Sequence, residues 1–133
     1  MADSIAWEQM RARAQSKGLL AKQLFVVRTL PTAGGIPAIE SVLAEHLAYQ
    51  ADLENRGIMF AAGPLANAEK PDQWSGDGLI VIRAQSMEEA RSIAENDPMH
   101  KSGARTFTVN PWLVNEGTLT VSVSFASGKR DII

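Results

Sequence analysis

The sequence predicts an α+β fold in which a four-stranded antiparallel sheet carries two helices in the order β-α-β-β-α-β. Two compact apolar runs, residues 23–29 and 79–82, are typical of strands. Between them, residues 38–56 carry apolar side chains at helical spacing. Ser86 and Glu89 form a capping box that starts a second helix. This order is the split pattern of ferredoxin-like folds.

The composition is that of a single globular domain. With 133 residues, 45% of them hydrophobic and 21% charged, the chain can bury a core and is too apolar for disorder. A net charge of −2 without a basic run argues against nucleic acid or an anionic membrane as partner. The lack of cysteine excludes disulfides and thiolate chemistry. Because no secretory signal and no membrane-spanning run is found, a cytoplasmic location is expected.

The pattern divides the chain into three segments. Residues 1–21 are predicted to form an N-terminal arm with a weak helix, residues 22–114 the ferredoxin-like domain, and residues 115–133 a C-terminal extension. In the extension apolar residues alternate with Ser and Thr, which predicts a half-buried extra strand that extends the sheet or reaches across a dimer. The alternating apolar residues are Leu119, Val121, Val123 and Phe125.

The first long helix is predicted over 38–56, with Pro37 at its first position and Gly57 after its end. Both helices are expected on one face of the sheet, while strand 79–82 is apolar on both faces and should be central. A bare apolar face predicts a two-fold homodimer, or a higher homo-oligomer built through residues 115–133. The apolar stripe of the helix consists of Ile39, Val42, Leu43, Leu47 and Leu53.

The remaining elements follow from local signals. A second strand is predicted over 58–62 and stops at Gly63 and Pro64. The second helix must end near Asn96 because Pro98 disfavours helical geometry in the residue before it. A fourth strand is predicted from 105 to 109, continuing towards Val114.

His46 is the first candidate for chemistry. It lies in the middle of the apolar stripe of its helix, and Gln50 lies one turn further on the same side. A buried imidazole without a partner is costly, and histidine titrates near neutral pH. We therefore expect His46 either to act on a ligand or to be a core histidine bonded to a backbone carbonyl.

Asp97 is the second candidate. An Asp before a Pro is a natural N-cap for a short helical turn, with Gly103 closing that turn. The functional hypothesis is that the Asp97 carboxylate orients His46, fixing its tautomer and raising the basicity of its other nitrogen. The sequence leaves both interpretations open.

Several ordered motifs resemble the YciI-like, or YCII-related, family. They are HLAYQADLENRGIMFAAGPL, SMEEARSIAENDP and SGARTFTVNPW, and the resemblance covers residues 22–114. The family shows an HL on the first helix, a GP after strand two, a helix ending in DP and a closing Pro-aromatic pair. The resemblance implies a dimeric α/β barrel and a proposed catalytic pair, carried over to His46 and Asp97. It also implies, as precedent, elimination of chloride from a chlorinated hydroxyquinol.

Weaker candidates complete the site. Arg28, Gln50, Gly63 and Pro64 are candidate substrate-binding residues, since Arg28 suits an anion and the Gly–Pro pair admits close approach of a ligand. Tyr49, Trp74 and Trp112 are either pocket or core aromatics. Asp97 and His100 have i, i+3 spacing and would form a metal triad with His46. That alternative is disfavoured, and no metal is expected, because the triad needs a specific facial geometry and His100 is not part of the family pattern. No cofactor is expected, because no nucleotide-binding or HExxH motif is present.

Three functions compete at this point. The first is a cofactor-free lyase or isomerase that uses His46 and Asp97 on a small polar cyclic or aromatic compound. The second is a non-catalytic small-molecule sensor with the same cleft. The third gives His46 a structural role only and makes the homodimer the function.

Overall fold

The computed structural model describes residues 3–132. Residues 23–112 form one compact unit, and the two ends of the chain, up to Lys22 and from Leu113, form another. In chain order the elements are α1 (Trp7–Ser16), β1 (Lys22–Pro31), α2 (Gly35–Ser41), α3 (Leu43–Asn55), β2 (Met59–Pro64), β3 (Gly78–Ile82), α4 (Met87–Glu95), α5 (Pro98–Lys101), β4 (Arg105–Val114), β5 (Val121–Val123) and β6 (Arg130–Ile132).

Strands β1 to β4 form a four-stranded sheet in the order β2-β3-β1-β4. β1 and β3 are antiparallel, with Val27 opposite Ile80, and β2 joins the other side of β3 in antiparallel register. A register shift between Met59 and Ala61 bends β2 at its start. The predicted α+β class and β-α-β-β-α-β order are therefore confirmed, and β3 is central as expected.

One face of the sheet packs against α4. Val27 and Ile80 pair across β1 and β3 and point to the same side, as do their neighbours two residues along. The small side chains of Ala90 and Ala94 let α4 approach this face closely. The resulting core contains Phe25, Val27, Ile80, Ile82, Ala90 and Ala94.

The predicted helix over 38–56 is two helices in the structure. α2 already begins at Gly35, so Pro37 lies inside its first turn, and Val42 (φ −118°, ψ 8°) separates it from α3. The apolar stripe is also only partly buried, because Leu47 is 56% exposed. The middle of the stripe borders an open cavity.

Side-chain caps start both α4 and α5. Ser86 accepts a hydrogen bond from the Glu89 N–H (3.1 Å), and the Glu89 carboxylate accepts one from the Gln85 N–H (2.8 Å). α4 ends at Glu95, one residue before the predicted boundary. α5 then starts with Asp97 as N-cap and Pro98 as first residue.

The second unit contains α1 and the hairpin of β5 and β6. α1 lies within the predicted arm, of which residues 1 and 2 are outside the described range. Among residues 3–132, β5 pairs with β6 alone, so the strand does not extend the main sheet, and its predicted reach across a dimer stays a prediction. Phe125, in the turn between β5 and β6, is 98% exposed.

Candidate active site

A cavity of about 350 Å³ lies between α3 and the sheet, at the end of β2 and the start of β3. The predicted site residues His46, Gln50, Gly63 and Pro64 all line it. Its other lining residues are Thr29, Leu43, Leu47, Ala62, Trp74, Gly78, Leu79, Ile80 and Arg105. The cavity is therefore mostly apolar, with a few polar groups converging on it.

His46 and Asp97 are in direct contact. The His46 Nδ1 atom lies 2.8 Å from Asp97 Oδ1 and 2.9 Å from Oδ2. The two side chains come from elements 51 residues apart in sequence, α3 and the N-cap of α5. The side chains are 11% and 2% exposed respectively, so the carboxylate is sealed while the imidazole reaches the cavity.

Asp97 is held by three groups at once. Its Oδ1 accepts a hydrogen bond from the Met99 backbone N–H (2.9 Å), and its Oδ2 accepts one from Gln50 Nε2 (3.1 Å). Burial alone would raise the pKa of the Asp97 carboxyl, but the hydrogen bonds from His46 and Met99 outweigh it and hold the pKa below its ordinary value. Asp97 thus caps α5 and accepts from His46 as an ionised group.

The contact with Asp97 determines the tautomer of His46. A carboxylate only accepts hydrogen bonds, so Nδ1 carries the proton and the neutral ring leaves a lone pair on Nε2. Within residues 3–132, Nε2 forms no hydrogen bond. His46 therefore offers an unoccupied proton acceptor on a side chain that lines the cavity.

Arg105 is a cavity residue that sequence reasoning missed. It is 7% exposed, its Nε donates to the Gly76 carbonyl (3.0 Å), and its guanidinium lies 5.8 Å from the centre of the Trp74 ring. Burial lowers its pKa from the ordinary value. In the sequence, Arg105 is a single charged residue at the start of strand β4. The sequence alone does not show whether a charged residue at such a position is buried or exposed.

His100 is turned away from His46 and is fully bonded. Its Nδ1 donates to the Ala94 carbonyl (2.6 Å), so its Nε2 accepts from the Thr29 hydroxyl (2.9 Å). Burial lowers the pKa of His100, which favours the neutral ring. Its ring also packs against Phe107 at 4.5 Å.

These bonds argue against the metal alternative. Both nitrogens of His100 have partners, so its ring is not available to complete a triad with His46 and Asp97. Across residues 3–132 no group of three or more His, Cys, Asp or Glu side chains is placed to hold a metal ion.

Three other predicted candidates lie outside the cavity. Arg28 follows the alternation of β1 and is exposed, whereas its neighbours Val27 and Thr29 are buried, and it borders a separate shallow depression. Tyr49 donates its hydroxyl to the Ile93 carbonyl (2.7 Å) and so joins α3 to α4. Trp112 is largely exposed. The structure thus brings together every candidate binding residue except Arg28.

Comparison with known proteins agrees with this architecture. The sequence profile of the YCII-related domain matches residues 23–113. This chain belongs to the YCII-related family. The match covers the whole sheet with α2 to α5, so His46 and Asp97 both lie inside the YCII-related domain.

A solved structure has the same fold as this YCII-related domain. It is the 5-chloro-2-hydroxyhydroquinone dehydrochlorinase TftG from Burkholderia phenoliruptrix AC1100, in complex with 2,5-dihydroxybenzoquinone. The two are 26% identical with a TM-score of 0.56, over 67% of this chain and 92% of TftG. A comparison with curated proteins found no match.

Across positions 3–132, none of the helices combines the length and the apolar character that crossing a bilayer requires.

Proposed function

We propose that this YCII-related protein is a cofactor-free lyase or isomerase in which His46 and Asp97 move a proton on a small polar cyclic or aromatic compound. The observation that carries the proposal is the 2.8 Å hydrogen bond from His46 Nδ1 to Asp97, which leaves Nε2 unbonded on a side chain that lines a cavity. Such a pair is the arrangement that general acid–base catalysis needs.

In the proposed step, His46 Nε2 takes a proton from an O–H or C–H bond of the substrate. The electron pair of that bond forms a new C=O or C=C bond, and the leaving group departs with its own bonding pair. For a chloride the net loss is one proton and one chloride ion, so no external oxidant or reductant is needed. In an isomerisation the imidazolium would return the proton to another atom of the same substrate.

Asp97 supports this step without touching the substrate. Its buried carboxylate stabilises the imidazolium that forms when His46 takes up the proton, and its fixed position holds the ring in one orientation. The Gln50 amide and the Met99 N–H keep the carboxylate in place. Positioned proton transfer of this kind contributes roughly 10²- to 10⁴-fold in rate.

The size of the cavity and the similar structure support the substrate class. About 350 Å³ is at the small end of ligand pockets and suits a single ring with polar substituents. TftG is a dehydrochlorinase whose structure holds a six-membered quinone. An elimination from a related ring compound is therefore the first reaction to test.

The test is chloride release from 5-chloro-2-hydroxyhydroquinone, measured with the wild type and with His46→Gln. We expect the wild type to release chloride above the rate without protein and His46→Gln to lose most of that gain. If ring compounds bind the wild type tightly but are recovered unchanged, the cavity is a sensor site instead. A His46→Gln variant with full turnover would exclude the proposed role of His46.

The predicted homodimer is a separate proposal. It is supported by Phe60 and Leu30, which are half-exposed apolar residues on strands of the sheet. The mass in solution, measured by light scattering, is expected to be twice that of the 14.4 kDa chain. A monomeric mass at micromolar concentration would contradict the proposal.

A further inference from the structure

Arg105 is a buried cation without an anionic partner. It is 7% exposed, and within residues 3–132 its one hydrogen bond runs from Nε to the neutral carbonyl of Gly76. Among residues 3–132, no carboxylate lies within ion-pair distance of its guanidinium. A charge taken out of water without a counter-charge is costly, so a folded chain keeps one only where something compensates it.

The two nearest acidic residues do not fill this role. Asp97 and Asp77 act on Arg105 only through longer-range attraction. The Asp97 oxygens already accept from His46, Gln50 and Met99, so their lone pairs are largely used. The terminal nitrogens of Arg105 form no hydrogen bond with any residue from 3 to 132 and are therefore available to a ligand.

Arg105 is held rigidly at the wall of the cavity. The bond from its Nε to Gly76 fixes one side of the guanidinium, and its Cζ atom lies over the Trp74 ring, 5.8 Å from the ring centre. Trp74 is itself anchored, because its indole N–H donates to the Asp77 carbonyl (2.7 Å). A planar, fixed guanidinium beside an aromatic wall is preorganised to bind an oxyanion with two parallel hydrogen bonds.

The space next to the guanidinium is kept open by Gly78. A Cβ atom at this position would lie 3.0 Å from the Thr29 methyl carbon and 3.9 Å from Arg105 Nη1. The φ of Gly78 is not in the left-handed region, so the backbone does not require glycine here. The absence of a side chain avoids crowding against Thr29 and keeps a methyl group from lying 3.9 Å from Nη1 within the cavity.

We propose that Arg105 forms an anion subsite and that the ligand of this cavity is a planar ring compound bound in its ionised form, with a negatively charged ring oxygen on the guanidinium. The inference deepens the proposed function and shares its cavity, since His46 would act on a different bond of the same ring. The anion supplies the counter-charge that Arg105 lacks. Negative charge that develops on that oxygen during proton removal is stabilised by the same contact.

The experiment measures binding, so it does not depend on turnover. The anionic probe is 2,5-dihydroxybenzoquinone, a vinylogous carboxylic acid that is ionised at pH 7.5, and the neutral probe is hydroquinone, whose phenols titrate near the ordinary tyrosine value of about 10. Calorimetry with the wild type, Arg105→Gln, Arg105→Lys and Arg91→Gln compares the two probes. Arg91 is exposed on α4, so Arg91→Gln is the matched control for loss of one positive charge.

We expect the wild type to bind the anion more tightly than hydroquinone. Arg105→Gln should weaken binding of the anion by about 10- to 100-fold, as for loss of a charge-assisted hydrogen bond, and leave hydroquinone nearly unchanged. Arg105→Lys should give an intermediate loss, because it keeps the charge without the planar fork. Arg91→Gln should match the wild type for both probes.

Two results would overturn the inference. One is a folded Arg105→Gln variant, checked by circular dichroism, that binds the anion within threefold of the wild type. The other is a wild type with no preference for the anion over hydroquinone, which decides the question even if Arg105→Gln does not fold. If the wild type binds the anion through Arg105 but releases no chloride, the anion subsite stands and the proposed catalysis is contradicted. Failure of the subsite and failure of the proposed function are therefore distinguishable.

Discussion

The two histidines of this chain occupy contrasting regions of the same unit. The Nδ1 atom of His46 donates a hydrogen bond to the Asp97 carboxylate, and its Nε2 atom is unbonded on a side chain that lines the cavity. The Nδ1 atom of His100 donates to the Ala94 carbonyl and its Nε2 atom accepts from the Thr29 hydroxyl, so neither nitrogen is available to a ligand. The first environment leaves one ring nitrogen available to a ligand, and the second favours a ring that stays neutral.

The difference shows that the partner, and not the residue type, determines the chemistry of an imidazole. A carboxylate stabilises an imidazolium by its negative charge, whereas a carbonyl and a hydroxyl within a buried site bring no such charge to offset desolvation. The pKa of His100 is accordingly lowered by burial, with the bond to Ala94 only partly opposing this effect. His46 is thus the candidate for proton transfer, and His100 is a structural residue that spans β1 and α4.

The largest expected effect separates the two residues by activity. His46→Gln should lower turnover about 10²- to 10⁴-fold, because glutamine hydrogen-bonds but does not take up a proton. His100→Gln should retain turnover within a few-fold, since His100 does not line the cavity. Steady-state rates of chloride release, with folding checked by circular dichroism, measure both. Equal losses in the two variants would contradict the contrast.

The next effect concerns the acceptor of His46. Asp97→Asn keeps an oxygen for His46 and Met99, and the buried, unpartnered Gln50 Oε1 atom can turn to meet the new NH₂ group. We therefore expect near-normal stability but a loss of turnover of at least about tenfold, because the negative charge that stabilises the imidazolium is gone.

Asp97→Ala is the matched comparison for stability. It should lose about 1 kcal/mol or more of unfolding free energy, because the N-cap of α5 disappears with the carboxylate. Urea unfolding compares the two variants. An Asp97→Asn variant with wild-type turnover would show that the charge of Asp97 is not used.

The buried His100 should make the free energy of unfolding depend on pH. Because the folded state lowers the pKa of His100 below its ordinary value of 6.5, the unfolded chain binds a proton first as pH falls. Stability should therefore decline below about pH 6.5, and this phase should be reduced in His100→Gln. The pKa of Asp97 is also lowered from 3.8, so its contribution is lost only at more acidic pH. Unfolding curves between pH 4 and 8 that decline equally in both proteins would be inconsistent with this assignment.

The smallest expected effect concerns the Thr29 hydroxyl, which donates a hydrogen bond to His100. Thr29→Val keeps the side-chain shape but leaves His100 Nε2 without a donor, which should cost about 1 kcal/mol of stability. The control is Thr106→Val on β4, an exposed position where the change is expected within about 0.5 kcal/mol. Thermal melts of both variants provide the comparison. A loss at Thr106 as large as at Thr29 would remove the basis for treating His100 as a bonded core residue.

The sequence predicted the sheet because its signals are local. The apolar run of β3, the Ser86 capping box and the Pro98 boundary each depend on residues a few positions apart. The division of the first helix at Val42 and the isolated hairpin of β5 and β6 were not predicted, because periodicity gives the type of element but not what covers it.

The same limit applies to the site. The position of His46 on the stripe and Asp97 before a proline made both candidates visible in the sequence, and the structure places them in contact. Arg105, Thr29 and the role of Gly78 depend on how β1, β3 and β4 meet in space, so no local pattern revealed them. Arg28 was chosen as the anion-binding cation, but strand alternation places it outside the cavity that Arg105 lines.

The most direct test of the account is the tautomeric state of the two imidazoles, read from long-range ¹H–¹⁵N NMR spectra, with His100→Gln used to assign them. We predict that at pH 7.5 each neutral ring carries its proton on Nδ1, and that 2,5-dihydroxybenzoquinone shifts the Nε2 signal of His46 while leaving both nitrogens of His100 unchanged. A His46 ring protonated on Nε2 alone, or an Nε2 signal that does not respond to saturating ligand, would contradict the claim that this nitrogen is the proton acceptor of the cavity.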